Sequence, residues 1–224
     1  MFSTYQKLLS EFVGTALLLA TVVGSGVMGE SLSPNSAAIA LLGNTIATGA
    51  ILYVLITIFA PIGGAHFNPA VTLGFLLRKE ISAGLASAYV VTQIIGAVVG
   101  VLVAHAMFDL ELLQYSTKTR TGGGQWLAEI VATFGLLSTI FFAQRFKAEA
   151  IPMAVGLYIT AGYWFTASTS FANPAVTIAR EFTNTFSGIA PFDVPGFVIA
   201  QLVGAMLAVG FAAILLNERS ANGQ

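Results

Sequence analysis

Apolar positions along this chain fall in long unbroken runs, not in alternating or one-faced patterns. Six runs of 17–27 residues are long enough to cross the hydrocarbon core of a bilayer, which takes about 20 residues. They are Leu8–Met28, Ala37–Phe59, Ile81–Met107, Trp126–Ala143, Ile151–Ala167 and Gly196–Leu216. Two further segments, Pro69–Leu77 and Pro174–Phe182, have helical character but are too short to span. Each follows an irregular stretch, Pro61-Ile62-Gly63-Gly64-Ala65-His66 or Ser168-Thr169-Ser170-Phe171. Non-helical backbone at membrane depth is tolerated only where protein buries it or it lines a water-filled cavity. The pattern predicts an all-α membrane protein with six transmembrane helices and two re-entrant half-helices, forming a single domain over residues 1–224.

Both short segments open on the same words, Asn68-Pro69-Ala70-Val71-Thr72 and Asn173-Pro174-Ala175-Val176-Thr177. Proline suits the first turn of a helix, where its missing N–H is not needed. Asparagine before it can cap the helix and still offer an amide donor. The surrounding sequence repeats too. Glu11-Phe12-Val13-Gly14-Thr15 opens the first run and Glu129-Ile130-Val131-Ala132-Thr133 the fourth. Gln93-Ile94-Ile95-Gly96-Ala97 in the third run is echoed by Gln201-Leu202-Val203-Gly204-Ala205 in the sixth. The repeats cover about residues 1–112 and 118–224. With an odd number of spans each, they insert in opposite senses, related by an axis in the membrane plane. The two half-helices then meet tip to tip near the midplane. Their positive dipole ends and two asparagine amides face one spot, which repels cations and gives a passing hydroxyl oxygen two donors. That suits a passive conduit for small neutral solutes.

Composition narrows the setting. Of 224 residues 56% are hydrophobic and 8% charged, against about 25% charged in a soluble domain. The first run is too long for a signal-peptide core and carries Glu11 near its start. There is no cysteine, which removes disulfides and thiol metal sites. A net charge of −1 with scattered cations argues against nucleic acid. A six-helix topology puts Lys7, Arg78, Lys79, Arg145, Lys147 and Arg219 on one side, and Lys118, Arg120 and Arg180 on the other. This bias predicts both termini in the cytoplasm. No nucleophile, base and orienting-group set appears, so an enzyme is not expected, nor is any cofactor or metal. A secondary transporter can also be built from inverted repeats, but it would need carboxylate or carbonyl cation ligands at the midplane. A structural junction protein with a closed pore is a further alternative. His66 reads as a loop residue that satisfies neighbouring backbone or a pH-sensitive gate, and His105 as an interfacial residue. Gly96 and Gly100 have the small-residue spacing that lets helices approach closely.

Gly64-Ala65-His66-Phe67-Asn68-Pro69-Ala70-Val71-Thr72, its partial repeat and the paired glutamates resemble the major intrinsic protein family, the aquaporins and aquaglyceroporins, over essentially the whole chain. The resemblance implies a homotetramer in the cell (inner or plasma) membrane with one pore per subunit, passing small neutral solutes and water. It implies that Gly63, Gly64, Ala65 and His66 line the approach to the first motif. It also implies that Glu11 and Glu129 anchor the re-entrant loops by accepting hydrogen bonds.

The chain departs from most of the family directly after the second motif, where an arginine usually forms one wall of the narrowest point and Val176 stands here. By the same likeness the other filter positions fall on Thr48, on Tyr163 by helix register or Ala161 by counting, and on Ser170 with Phe171 as its neighbour. Arg180, four residues after Val176, is expected in the outer vestibule near Glu181, with a guanidinium reaching back toward the filter as the alternative. A filter of Thr48, Tyr163, Ser170 and Val176 lacks the usual arginine and the usual aromatic of helix two. It implies an aquaglyceroporin-like channel for glycerol, arsenious acid or comparable neutral hydroxyl solutes, with a water-selective pore as the alternative. Two intact motifs with an aliphatic residue in place of the arginine also resemble a bacterial aquaglyceroporin branch linked to arsenical permeation.

Overall fold

A computed structural model of the chain describes residues 2–216, all of its regular structure helical. The helices are α1 (Thr4–Leu32), α2 (Ala37–Gly63), α3 (Pro69–Leu77), α4 (Ala83–Met107), α5 (Gly123–Phe146), α6 (Ile151–Phe165), α7 (Pro174–Ala179) and α8 (Val194–Leu215). Arg219 and the end of the second repeat lie outside the described residues.

Each expected run is a helix, and the differences at the ends have local causes. α1 begins before Leu8 because Ser3 and Gln6 form a capping box, the Gln6 N–H donating to Ser3 Oγ and the Ser3 N–H to Gln6 Oε1. Among the described residues, five helices are long and apolar enough to cross a membrane. α6 is shorter at 15 residues. A 3₁₀ turn at Ala148–Ala150 precedes it directly. Together they cover roughly 28 Å, close to the thickness of the hydrocarbon core. The second half-helix is α-helical only over Pro174–Ala179 and tightens into a 3₁₀ turn at Arg180–Phe182.

Packing repeats in the two halves. α1 lies against α4 and α2, as α5 lies against α8 and α6, and α2 meets α6 between the halves. The spacing Gly96–Gly100 serves packing within the chain. A Cβ on Gly96 would sit 2.6 Å from the Phe12 carbonyl oxygen, and one on Gly100 2.2 Å from that of Ala16. The repeat-related Gly204 approaches the Ile130 carbonyl of α5 in the same way. α3 and α7 touch each other between these pairs, so their N-terminal ends meet inside the bundle.

Gly100→Val should therefore force α1 and α4 apart and lower the midpoint of thermal unfolding in detergent. Gly210→Val, where a Cβ meets nothing within 4 Å, should leave it unchanged. Overpacking of this kind costs about 1–3 kcal/mol, and equal midpoints would contradict the close approach.

Candidate functional site

Each half-helix is built from its motif outward. Asn68 caps α3 with Oδ1 accepting from the Ala70 N–H at 2.8 Å, and Asn173 caps α7 by accepting from Ala175 at 2.9 Å. Pro69 and Pro174 occupy the first turns, and Ala70 and Ala175 are fully buried behind them. The threonine closing each motif donates back to its asparagine carbonyl, Thr72 at 3.1 Å and Thr177 at 2.9 Å.

The asparagine amides then cross between halves. Asn68 Nδ2 donates to the Ala172 carbonyl at 2.7 Å, and Asn173 Nδ2 to the Phe67 carbonyl at 2.8 Å. A primary amide has two N–H groups. One of each pair ties the loops together, and the second has no acceptor among the described residues. Both asparagines line one cavity of about 420 Å³ that runs from Gln144 and Glu149 at one end to Val176 and Arg180 at the other.

The loops feeding the motifs are held by carboxylates. Glu11 accepts from the His66 N–H at 2.8 Å and the Phe67 N–H at 2.7 Å. Glu129 accepts from Phe171 at 2.9 Å and Ala172 at 2.8 Å. These are the same two positions before each asparagine. Gln93 and Gln201 lock the acids from the side, donating to Glu11 at 2.8 Å and Glu129 at 2.6 Å. Each glutamine also bonds the motif threonine, Thr72 or Thr177. In both loops the residues one and three before the asparagine have positive φ: Phe67 and Ala65, Ala172 and Ser170. Left-handed residues of this kind turn successive N–H groups to one side, forming a nest for an anion. Here the anion is a side chain of the same protein. Such geometry costs on the order of 1 kcal/mol per residue, and the carboxylate bonds offset it.

Gly64, Ala65 and His66 line the cavity. Gly63 does not; it ends α2, and its carbonyl accepts from Tyr89 Oη at 2.7 Å. His66 stacks on Phe75 with ring centres 4.6 Å apart and hydrogen-bonds Thr72 Oγ1 through Nδ1 at 3.0 Å. His105 is fully buried, with Nδ1 on the Leu112 carbonyl and Nε2 on Thr183 Oγ1.

Thr48, Tyr163, Ser170 and Val176 all line the cavity and are all buried. Thr48 Oγ1 and Tyr163 Oη are hydrogen-bonded at 3.1 Å. Ala161, the alternative by counting, is exposed on the other side of α6. Ser170 Oγ is buried without a hydrogen-bond partner. Phe171, the register alternative, also lines the cavity.

Arg180 departs from expectation. It does not stand open beside Glu181 but is 2% exposed, with its guanidinium over the Phe171 ring and Nε donating to the Ser187 carbonyl. Sequence reading also missed Arg120, which it used only for orientation. Arg120 donates from Nε to the Gly188 carbonyl at 2.8 Å and from Nη1 to Ser168 at 3.3 Å. Its own backbone N–H donates to Asp193 Oδ2 at 2.7 Å, so it ties three loops. Burial pushes its guanidinium down to about 10, which leaves it charged at neutral pH. Burial, with the Arg120 and Arg180 charges beside it, pushes the Lys118 ammonium down to about 8. No local motif announces Arg120; only the fold brings it beside Arg180 on the Phe171 ring.

Comparison with known proteins follows the same lines. The model of the family described as "Major intrinsic protein" matches residues 1–167 and 142–224. The chain is 57% identical to Aquaglyceroporin AqpS of Rhizobium meliloti (strain 1021), over 96% of this chain and 92% of that relative. It is 35% identical to Aquaporin PIP2-5 of Oryza sativa subsp. japonica, over 99% and 86% respectively. The X-ray structure of the aquaglyceroporin from Plasmodium falciparum shares its fold, with a TM-score of 0.76 at 19% identity, covering 96% of this chain and 97% of that one.

Glu129→Ala leaves the Phe171 and Ala172 N–H groups without an acceptor. At about 1–3 kcal/mol for each buried donor left unmade, it should lower the thermal midpoint in detergent far more than Glu129→Gln, which keeps one acceptor oxygen. Equal losses would remove the anchoring role.

Proposed function

The chain belongs to the major intrinsic protein family, and from that premise we propose that it is a passive, aquaglyceroporin-like channel for small uncharged hydroxyl solutes, glycerol or arsenious acid among them, with water. It works as a homotetramer in the cell membrane with both termini cytoplasmic, so that α3 enters from the cytoplasmic face and α7 from the outer face.

The observation that carries this reading is the wall made by Thr48, Tyr163, Ser170 and Val176, three hydroxyls and one aliphatic side chain on a single cavity. A hydroxyl is donor and acceptor at once, and so is each group of a polyol or an undissociated oxyacid. Ser170 Oγ, buried with no partner among the described residues, stands where it can exchange hydrogen bonds with a passing solute. Val176 adds neither bulk comparable to an arginine nor a fixed charge, so the solute crosses this level by shape and hydroxyl pairing. Further in, the Asn68 and Asn173 amides each keep one N–H for the solute oxygen. The two half-helix N-termini there hold a positive potential against cations. The name of the 57% identical relative, an aquaglyceroporin, supports the same solute class.

Stopped-flow light scattering on reconstituted proteoliposomes tests the reading. Glycerol and arsenious acid flux should rise well above empty liposomes, and Val176→Arg should reduce both by about tenfold or more, the scale on which a blocked or mismatched pocket discriminates. Water flux should fall less. Flux of water alone in the unmodified protein would favour the water-selective alternative, and no flux at all a closed junction.

A further inference from the structure

Two arginines converge on one aromatic ring at the outer end of the cavity. The Arg180 guanidinium carbon lies 3.4 Å from the centre of the Phe171 ring, and that of Arg120 lies 4.9 Å from it. Among the described residues neither has a carboxylate within ion-pair distance, although Glu129 acts on both electrostatically. Arg180 is the one that lines the cavity, while Arg120 stands behind it, held by the Gly188 and Ser168 carbonyls. Burying a cation without a counter-ion in direct contact is expensive. In a membrane protein such a charge is functional by default. Its cost here is reduced by the Phe171 face and the Ser187 carbonyl, which fix the guanidinium where it is.

The position has a simple geometric relation to the missing arginine. Val176 sits in the first turn of α7, its N–H bonded to the capping Asn173 Oδ1 at 3.3 Å. Arg180 follows four residues later, one turn further out on the same face. Phe171 precedes the motif in the same loop, fixed by its backbone bond to Glu129 and by its ring on Phe197 at 5.2 Å. A guanidinium reaching back from Arg180 is therefore caught directly beyond the level of Ser170 and Val176.

We propose that the cationic element of the filter is retained in this protein but displaced one helical turn outward. Arg180, seated on Phe171, forms a charged outer layer above an uncharged inner layer of Thr48, Tyr163, Ser170 and Val176. The inner layer sets solute size and the outer layer rejects cations, including the excess proton. Phe171 is a positioning residue, and Arg120 adds positive potential from behind. The proposal rests on the channel reading, since only a conducting pore needs such a barrier. It separates two tasks that a single arginine after the second motif would combine: a broad neutral solute passes, while a cation meets Arg180 before it reaches the asparagines.

The test measures glycerol flux and proton leak in the same proteoliposomes, the leak by an entrapped pH-sensitive dye with a potassium ionophore clamping the potential. Arg180→Gln should raise proton leak by about tenfold or more, the scale expected for removing one nearby charge, in vesicles that still conduct glycerol. Arg180→Lys, which keeps the positive charge, should return the leak most of the way to the wild-type level. Leak in Arg180→Gln equal to wild type, in glycerol-conducting vesicles, overturns the proposal. Should Arg180→Gln fail to fold, Phe171→Leu removes the seat of the guanidinium, and an unchanged leak in that variant overturns it equally. Absence of glycerol flux in the wild type defeats the channel reading instead and is separately visible.

Discussion

A loop of polypeptide placed in the middle of a bilayer must find acceptors for its amides, because no water is there to supply them. In this chain two carboxylates do so. Glu11 and Glu129, both fully buried, each take the two N–H groups that precede an asparagine cap. Everything at the centre depends on those four bonds. They hold Phe67 and Ala172 in left-handed conformations. That conformation turns the Phe67 and Ala172 carbonyls toward the opposite loop, where the other half's asparagine amide meets them. Each half is thus locked by its own acid and closed by its partner's amide. The acids are in turn held by Gln93 and Gln201 on α4 and α8. Those glutamines reach them only because Gly96 and Gly204 let the helices come into backbone contact.

The outer end follows a different logic, without symmetry. On the side of the first half-helix the cavity opens past His66 toward Gln144 and Glu149. On the other side the segments around residues 116–120, 166–171 and 183–193 are drawn together over it. Arg120 gathers all three, Lys118 Nζ donates to the Phe186 carbonyl at 2.7 Å, and Ser187 Oγ reaches the Val22 carbonyl on α1 at 2.9 Å. Cations here serve as hydrogen-bond donors to carbonyls that helix ends and turns leave unpaired.

The helices and the motif were legible in the sequence because their signals are local. A run of some 20 apolar residues has one stable fate in lipid, and Asn-Pro at a helix start is dictated by the two residues themselves. That Glu11 and Glu129 anchor the loops came from the family resemblance, and the fold decides which loop each one holds. Gln93 and Gln201 were visible as echoes, but their bonds to the acids were not. The alternative between Tyr163 and Ala161 was a question of helix phase. One is turned to the cavity and hydrogen-bonded to Thr48, while the other faces outward. Gly63 was grouped with the cavity-lining loop because it adjoins Gly64, and it belongs to α2 because Tyr89 holds its carbonyl there.

By itself the sequence determined that this chain crosses a membrane as helices, that two half-helices begin at Asn68 and Asn173, and that no arginine follows the second. Those properties reside in hydrophobicity, capping and residue identity, and each acts over a few neighbours. Tertiary structure alone decided where Arg120 and Arg180 place their charges. A guanidinium on a flexible stem goes where carbonyls and a ring face accept it. For these two the acceptors are Phe171, Ser168, Ser187 and Gly188. They are brought together by the closing of separate loops over the cavity, an arrangement that no spacing along the chain encodes.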